Sequence, residues 1–319
     1  MTHRPLVSRP SFLGALLAAG VASTAIARAQ STAIRCASAP DDDVSSFLAA
    51  RDSGLFKKAG LEVTIDRANS GAAVAAVAAA VAGGAVDIGK SSIVALISAH
   101  QHGVPFVIIA PAAVYDGDHP DVAMLVAKDR SLRAARDIAG KVVAVPALGD
   151  LYSIANAAFV DAAHGAWKDI KYLEMPSASA PEAVAMHRVD AVTLATPSLQ
   201  VAIAAGKVEV IGHPFSAIAP RFLRAAWFAT KDYVAKNPEI VQRFRQSIET
   251  ASADVNAHPA STVAAVAAFT GLDPRMISHM QRAHAGTSLD TKLVQPVIDA
   301  AFRYGAITAS FDAKEIIAG

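Results

Sequence analysis

Two hydrophobic periods alternate along this chain. Short runs rich in β-branched residues read as strands, and longer runs with apolar positions three and four apart read as helices. From residue 32, "TAIRCAS" predicts a strand, "VSSFLAARDSGLF" a helix and "LEVTID" a second strand. "GAAVAAVAAAVAGG" predicts a helix, "AVDIG" a very short strand, "SSIVALISAHQHG" a helix and "PFVIIAPA" a closing strand. Strands alternating with helices predict parallel βαβ units. The alanine-rich helix is apolar all round, so it is expected to be buried by neighbours on several sides.

A second series begins at "VAMLVAKD". "KVVAVPA", "IKYLEM", "DAVTLA" and "KVEVIG" read as strands, separated by the helical runs "LYSIANAAFVDAAHG", "APEAVAMHRV" and "TPSLQVAIAAG". From "KDYVAKNPEIVQRF" onward the pattern is almost wholly helical. Thr196-Pro197, Asn237-Pro238 and Asp273-Pro274 read as a capping residue followed by proline at the first helical position.

The first 29 residues stand apart. His3, Arg4 and Arg9 precede the apolar run "FLGALLAAGVASTAI", and "ARAQ" supplies a small-residue cleavage pattern. This predicts a secretory signal peptide over 1–29, cut after Ala29. As a membrane anchor the run is short. Composition narrows the rest. With 53% apolar and 18% charged residues, the chain has ample material for large cores. A net charge of +1 without a basic stripe argues against a nucleic-acid partner. Cys36 is the one cysteine, so no intrachain disulfide forms, and no metal-ligand or cofactor motif is present.

Gly84 to Ser91 match the phosphate-binding pattern G-x-x-x-x-G-K-[ST]. A true phosphate loop follows a strand, whereas the residues before Gly84 read as helix and Ala85–Ile88 read as the strand itself. The match is therefore read as coincidence. It places Gly89, Lys90, Ser91 and Ser92 just past a strand's carboxyl end, where open α/β sheets bind ligands.

Five segments, in this order, resemble one family. They are "ARDSGLFKKAGLEVTI", "GGAVDIGKSS", "ARDIAGKVVAVPALGD", "VDAVTLATPS" and "WFATKDYVAKNPEIVQRF". The chain resembles periplasmic solute-binding proteins of ABC importers, of the nitrate, sulfonate, taurine and thiamine-precursor type. That resemblance implies a two-lobed, type II-like α/β fold, each lobe a mainly parallel sheet flanked by helices. Lobe 1 would take residues 30–116, lobe 2 residues 117–215, and residues 216–319 would return to lobe 1 and end in a helical tail. It implies a monomer in the periplasm that closes about a hinge on a small-molecule ligand and delivers it to a membrane permease, with no cofactor. Two other functions stay open: an enzyme on the same fold, of the thiamine-pyrimidine type, and a sensor subunit that feeds a membrane receptor. The enzymes carry a cysteine-rich motif that a chain with one cysteine lacks.

The candidate ligand residues lie where strands end: Asp41 after the first strand, Asn69, Ser70 and Gly71 after the second, Lys90 and Ser91 after the third, Tyr115 after the fourth. Gly149, Asp150, Tyr152 and Ser153 open a helix in the second series, Thr196 follows "DAVTLA", and Trp227 lies on the return segment. Ser70 and Ser91 are more simply read as helix caps than as ligand contacts, and the two roles can coexist. Asp41-Asp42-Asp43 most simply complements a helix dipole. Lys90, the one cation at these strand ends in the first lobe, suits an anionic group, and Tyr115 and Trp227 suit a planar one. The expected ligand is a small organic acid such as a sulfonate, carboxylate or aromatic acid.

Overall fold

The computed structural model describes residues 32–68, 73–129 and 131–318. The signal-peptide segment and Asn69, Ser70 and Gly71 lie outside the described residues. The first half runs β1 (Thr32–Ser38), α1 (Ser45–Asp52), α2 (Leu55–Lys58), β2 (Leu61–Arg67), α3 (Ala73–Ala82), β3 (Ile88–Ser92), α4 (Ile93–Gln101), β4 (Phe106–Asp116), β5 (Val122–Ala127) and β6 (Val142–Val145). It continues α5 (Leu151–Ala162), β7 (Lys171–Glu174), α6 (Ala180–Ala185), β8 (Ala191–Ala195), α7 (Ser198–Ala204), β9 (Val208–Gly212) and β10 (Arg221–Thr230). The tail holds α8 (Lys231–Lys236), α9 (Pro238–Ala257), α10 (Val263–Thr270), α11 (Pro274–His279), β11 (His284–Ala285) and α12 (Thr291–Arg303).

These strands form two sheets, ordered β11-β4-β10-β3-β1-β2 and β7-β6-β8-β5-β9. The expected βαβ units are present: β1 pairs in parallel with β2 and β3, and β6 with β7 and β8. The remaining pairs are antiparallel, so both sheets are mixed. The cause is connectivity. The chain leaves the first sheet after β4, builds the second, and returns as β10, which enters between β3 and β4. The two crossings lie side by side, with the Gly117 N–H donating to the Pro220 carbonyl at 2.8 Å.

β10, unmarked as a strand in the sequence pattern, is central, and β4 beside it has ten consecutive buried residues. Neighbouring residues on such a strand feed opposite cores. Phe228 joins the core beneath α3, α4 and α12, whereas Trp227 packs with Phe47 of α1 and Phe244 of α9. Helix α9 turns Val241, Phe244, Ile248 and Ala251 into that second core, three and four residues apart.

Three local expectations need correction. Helix α3 is buried along one line only: Val77 and Val81 are inside, while Ala75, Ala76, Ala79 and Ala82 are exposed. Alanine tolerates this because it forms helix well and exposes little apolar surface. Strand β3 begins at Ile88 rather than Ala85. The Asp87 carboxylate accepts bonds from the Arg35 backbone N–H and guanidinium, which anchors the preceding turn to β1 before the ladder starts. Thr196 does not cap α7: the N-cap is Pro197, the Thr196-Pro197 peptide is cis, and the threonine hydroxyl donates to the Gln281 carbonyl at 2.8 Å.

Candidate functional site

A cavity of about 230 Å³ opens where the two sheets meet. The first sheet and its loops contribute Asp41–Asp43, Lys90–Ser92 and Arg224. The second contributes Asp150, Tyr152, Ala195 and Thr196, and Phe215 comes from the returning crossing. Of the expected site residues, Asp41, Lys90, Ser91, Asp150, Tyr152 and Thr196 meet here.

Lys90 and Ser91 arrive by a different route from the one expected. They lie within β3, paired with Trp227 and Ala226 of β10, rather than beyond the strand's end. Ser91 therefore caps nothing. Ser92 caps α4 instead, its Oγ accepting from the Ala95 N–H at 3.2 Å and donating to Asp150 Oδ1 at 3.3 Å. Gly89 is small for packing: a Cβ there would stand 2.7 Å from both the Phe228 ring and Val77 Cγ1.

The acidic run after β1 is not a shared helix-dipole complement. Each carboxylate takes its own cation. Asp41 receives Lys90 Nζ at 2.8 and 2.9 Å. Asp42 receives the Arg282 guanidinium at 2.6, 2.9 and 3.0 Å and the Ala283 N–H at 2.8 Å, which fastens this loop to the C-terminal part of the chain. Asp43 receives Arg224 Nη2 at 2.6 Å, and the other terminal nitrogen of Arg224 donates to Asp121 at 2.6 Å. Lys90 is accordingly not the single cation of the first-sheet side. Arg224 is the charged cavity residue that sequence reasoning missed. Its signal was an arginine inside the apolar run "FLRAAWFA", since a buried charge in a strand needs a partner.

Burial pushes the Asp121 and Asp150 carboxyls above the usual carboxylate range, and Arg224 beside the first only partly offsets it. Burial also lifts Asp43, but the Arg224 guanidinium and the Lys90 ammonium outweigh it and leave this carboxyl below its ordinary value. Burial works against the charge of Arg224, yet Asp121 and Asp43 hold its pKa well above the ordinary value. Burial likewise raises the Tyr152 phenol. The Tyr152 ring lies 5.4 Å from that of Phe215, so the cavity has an aromatic wall beside its charged floor.

The other expected residues lie elsewhere. Tyr115 is fully buried, its hydroxyl 2.6 Å from Ser216 Oγ. Trp227 is fully buried with its ring stacked 4.9 Å from Phe47. Both lie on central strands covered on two faces, which leaves neither ring a path to the cavity. Gly149 takes φ +71° in the turn before α5, and Ser153 lies on the side of α5 near Trp167 and Tyr172; neither lines the cavity.

Residues 42–262 match the family model described as NMT1/THI5 like. The chain belongs to the NMT1/THI5-like family. No curated protein matches it in sequence. Among solved structures, the periplasmic aliphatic sulphonate binding protein SsuA of Escherichia coli is similar with a TM-score of 0.73 at 18% identity, over 90% of this chain and 92% of that one. The alkanesulfonate-binding protein SsuA of Xanthomonas axonopodis pv. citri, bound to MOPS, is similar with a TM-score of 0.68 at 18% identity, over 90% and 98% of the two chains. A conserved Candida albicans gene product with the generic periplasmic binding protein fold is similar with a TM-score of 0.68 at 12% identity, over 90% and 96%. At these identities the likeness establishes the fold. This member of the NMT1/THI5-like family therefore has the periplasmic binding protein fold, with a charged cavity between the two sheets.

Proposed function

We propose that the protein is the extracytoplasmic solute-binding subunit of an ABC importer. It would hold a small solute between two lobes and pass it to a membrane permease. The observation that carries this is the cavity lined from both sheets, in a chain of this family and fold. Each lobe corresponds to one sheet with its helices, and the paired crossings at 117–121 and 213–220 act as the hinge. Ser92–Asp150 and Thr196–Gln281 are contacts that lobe opening would break. No bond-making chemistry is assigned. Cys36 is buried in β1, and burial holds its thiol well above the usual value, which disfavours a thiolate nucleophile.

Organic-anion capture is the finer expectation, drawn from Lys90 together with the free N–H groups at helix starts. Both cations at the cavity are already matched by carboxylates, which counts against that reading. A thermal-melt panel of sulfonates, carboxylates, amines, pyrimidines, nitrate and ATP tests the function. A solute at about 1,000 times its Kd adds ~4 kcal/mol, or roughly ten degrees for a chain of this size. Small-angle scattering should show compaction with the same compound. A protein that no small molecule stabilises or compacts would sink solute capture.

A further inference from the structure

On the solute-capture reading, the charges around the cavity decide what it takes. Lys90 pairs with Asp41, Arg224 pairs with Asp43 and with Asp121, which is not itself a lining residue, and Asp42, also in the lining, pairs with Arg282; Asp150 is the remaining carboxylate of the lining. The Lys90 ammonium is held by both oxygens of Asp41. Each terminal nitrogen of Arg224 donates to a carboxylate, and its buried Nε has no hydrogen-bond partner, so what remains on this residue is a single N–H donor whose charge is already matched. Neither cation offers an incoming anion an unmatched charge.

Asp150 differs from the other acids. Among the described residues, no lysine, arginine or histidine forms an ion pair with it. Its hydrogen-bond partner is the Ser92 hydroxyl at 3.3 Å. It lines the cavity together with Tyr152 and Phe215, whose rings lie 5.4 Å apart. A carboxylate held in a cavity without a counter-ion is costly, and a cation arriving with N–H donors relieves that cost. An anion would add to the excess of negative charge.

We propose that the cavity takes a solute with a cationic, N–H-rich head, a primary amine or an amidinium, seated on the Asp150 carboxylate with its body against Tyr152 and Phe215. The aromatic wall suits the flat or apolar remainder.

The test uses probes of matched shape and opposite charge. Benzylamine and benzamidine are compared with benzoate and benzenesulfonate by thermal melting and titration calorimetry on the purified protein, then on Asp150→Asn. The amine and the amidine should raise the melting temperature while the two anions leave it unchanged, and the substitution should weaken the cations at least tenfold. Stabilisation by the anions alone overturns the proposal, as does undiminished cation binding to a folded Asp150→Asn. If neither series binds, native mass spectrometry after incubation with a bacterial metabolite extract decides. A captured amine or amidine supports the proposal. A captured solute without such a group overturns it and leaves solute capture standing, and no captured solute at all overturns both.

Discussion

Lys90 Nζ lies 2.8 and 2.9 Å from the two carboxylate oxygens of Asp41, yet the partners are unequally placed: the lysine side chain is 3% exposed and the aspartate 43%. The burial of Lys90 makes the pair asymmetric to mutation. In Asp41→Asn the ammonium stays inside without its neighbour, whereas in Lys90→Met the remaining carboxylate still reaches water. Breaking a fully buried pair costs roughly 3–5 kcal/mol and an exposed one about 0–1. Urea unfolding should therefore place Asp41→Asn at about 2–3 kcal/mol below wild type and Lys90→Met at about 1. Equal losses would mean that the pair behaves as a surface contact.

Arg224 carries a heavier structural role. Its side chain is 13% exposed and bridges Asp43, on the loop after β1, to Asp121, at the start of β5. Arg224→Met leaves two buried carboxylates facing each other, and the expected loss is about 3–5 kcal/mol. Adding Asp43→Asn and Asp121→Asn to that variant should recover much of it, because the stranded charges are gone. A triple variant no more stable than Arg224→Met alone would show that packing by the arginine stem, not its charge, was lost.

This bridge also marks where sequence reading stops. The alternation of strand and helix was legible because hydrophobic periodicity is local. The meeting of Asp43 with Arg224, or of Asp42 with Arg282, joins residues far apart in the chain, and no spacing encodes it. Tyr115 and Trp227 misled for a related reason. An aromatic near a strand's end looks available, but β4 and β10 become central only when the returning chain inserts between strands. Asp150 and Tyr152 were legible because a glycine turn followed by a helix start fixes their place locally. Lys90 was legible by its neighbours, although its strand begins three residues later than the β-branched pattern suggests.

The acids should give opposite pH signatures. The Asp150 carboxyl is raised, so the folded state binds its proton more tightly than the unfolded chain does. The ionised group then costs stability above its folded value, and the cost fades as pH falls through that value. Asp150→Asn should melt higher than wild type at pH 7, with the gap closing as the carboxyl protonates. Asp43 is lowered, so its contribution is present above the unfolded value of about 3.9 and is lost as pH falls through the folded one. Asp43→Asn should melt below wild type at pH 7 and approach it in acid. Melting curves of the three proteins from pH 7 to pH 3 check both signs; parallel curves would remove the electrostatic account.

Gly89 separates packing from phosphate binding at the string that mimics a phosphate loop. A methyl group there would meet the Phe228 ring and Val77 Cγ1 at 2.7 Å, so Gly89→Ala forces α3 away from β3. Overpacking of this kind costs about 1–3 kcal/mol. The side chain that can give way is Val77, on a helix whose far face is exposed. Gly89→Ala combined with Val77→Ala should therefore recover part of the loss, although Val77→Ala alone is destabilising. A phosphate loop predicts otherwise: the glycine would serve backbone approach to the nucleotide, trimming Val77 would rescue nothing, and ATP would stabilise wild type but not Gly89→Ala. Melting curves of the four proteins with and without ATP decide between the two. Rescue by the valine substitution with no ATP shift in any protein is the expected result, because Gly89 lies inside a strand covered by a helix rather than in a loop open to phosphate.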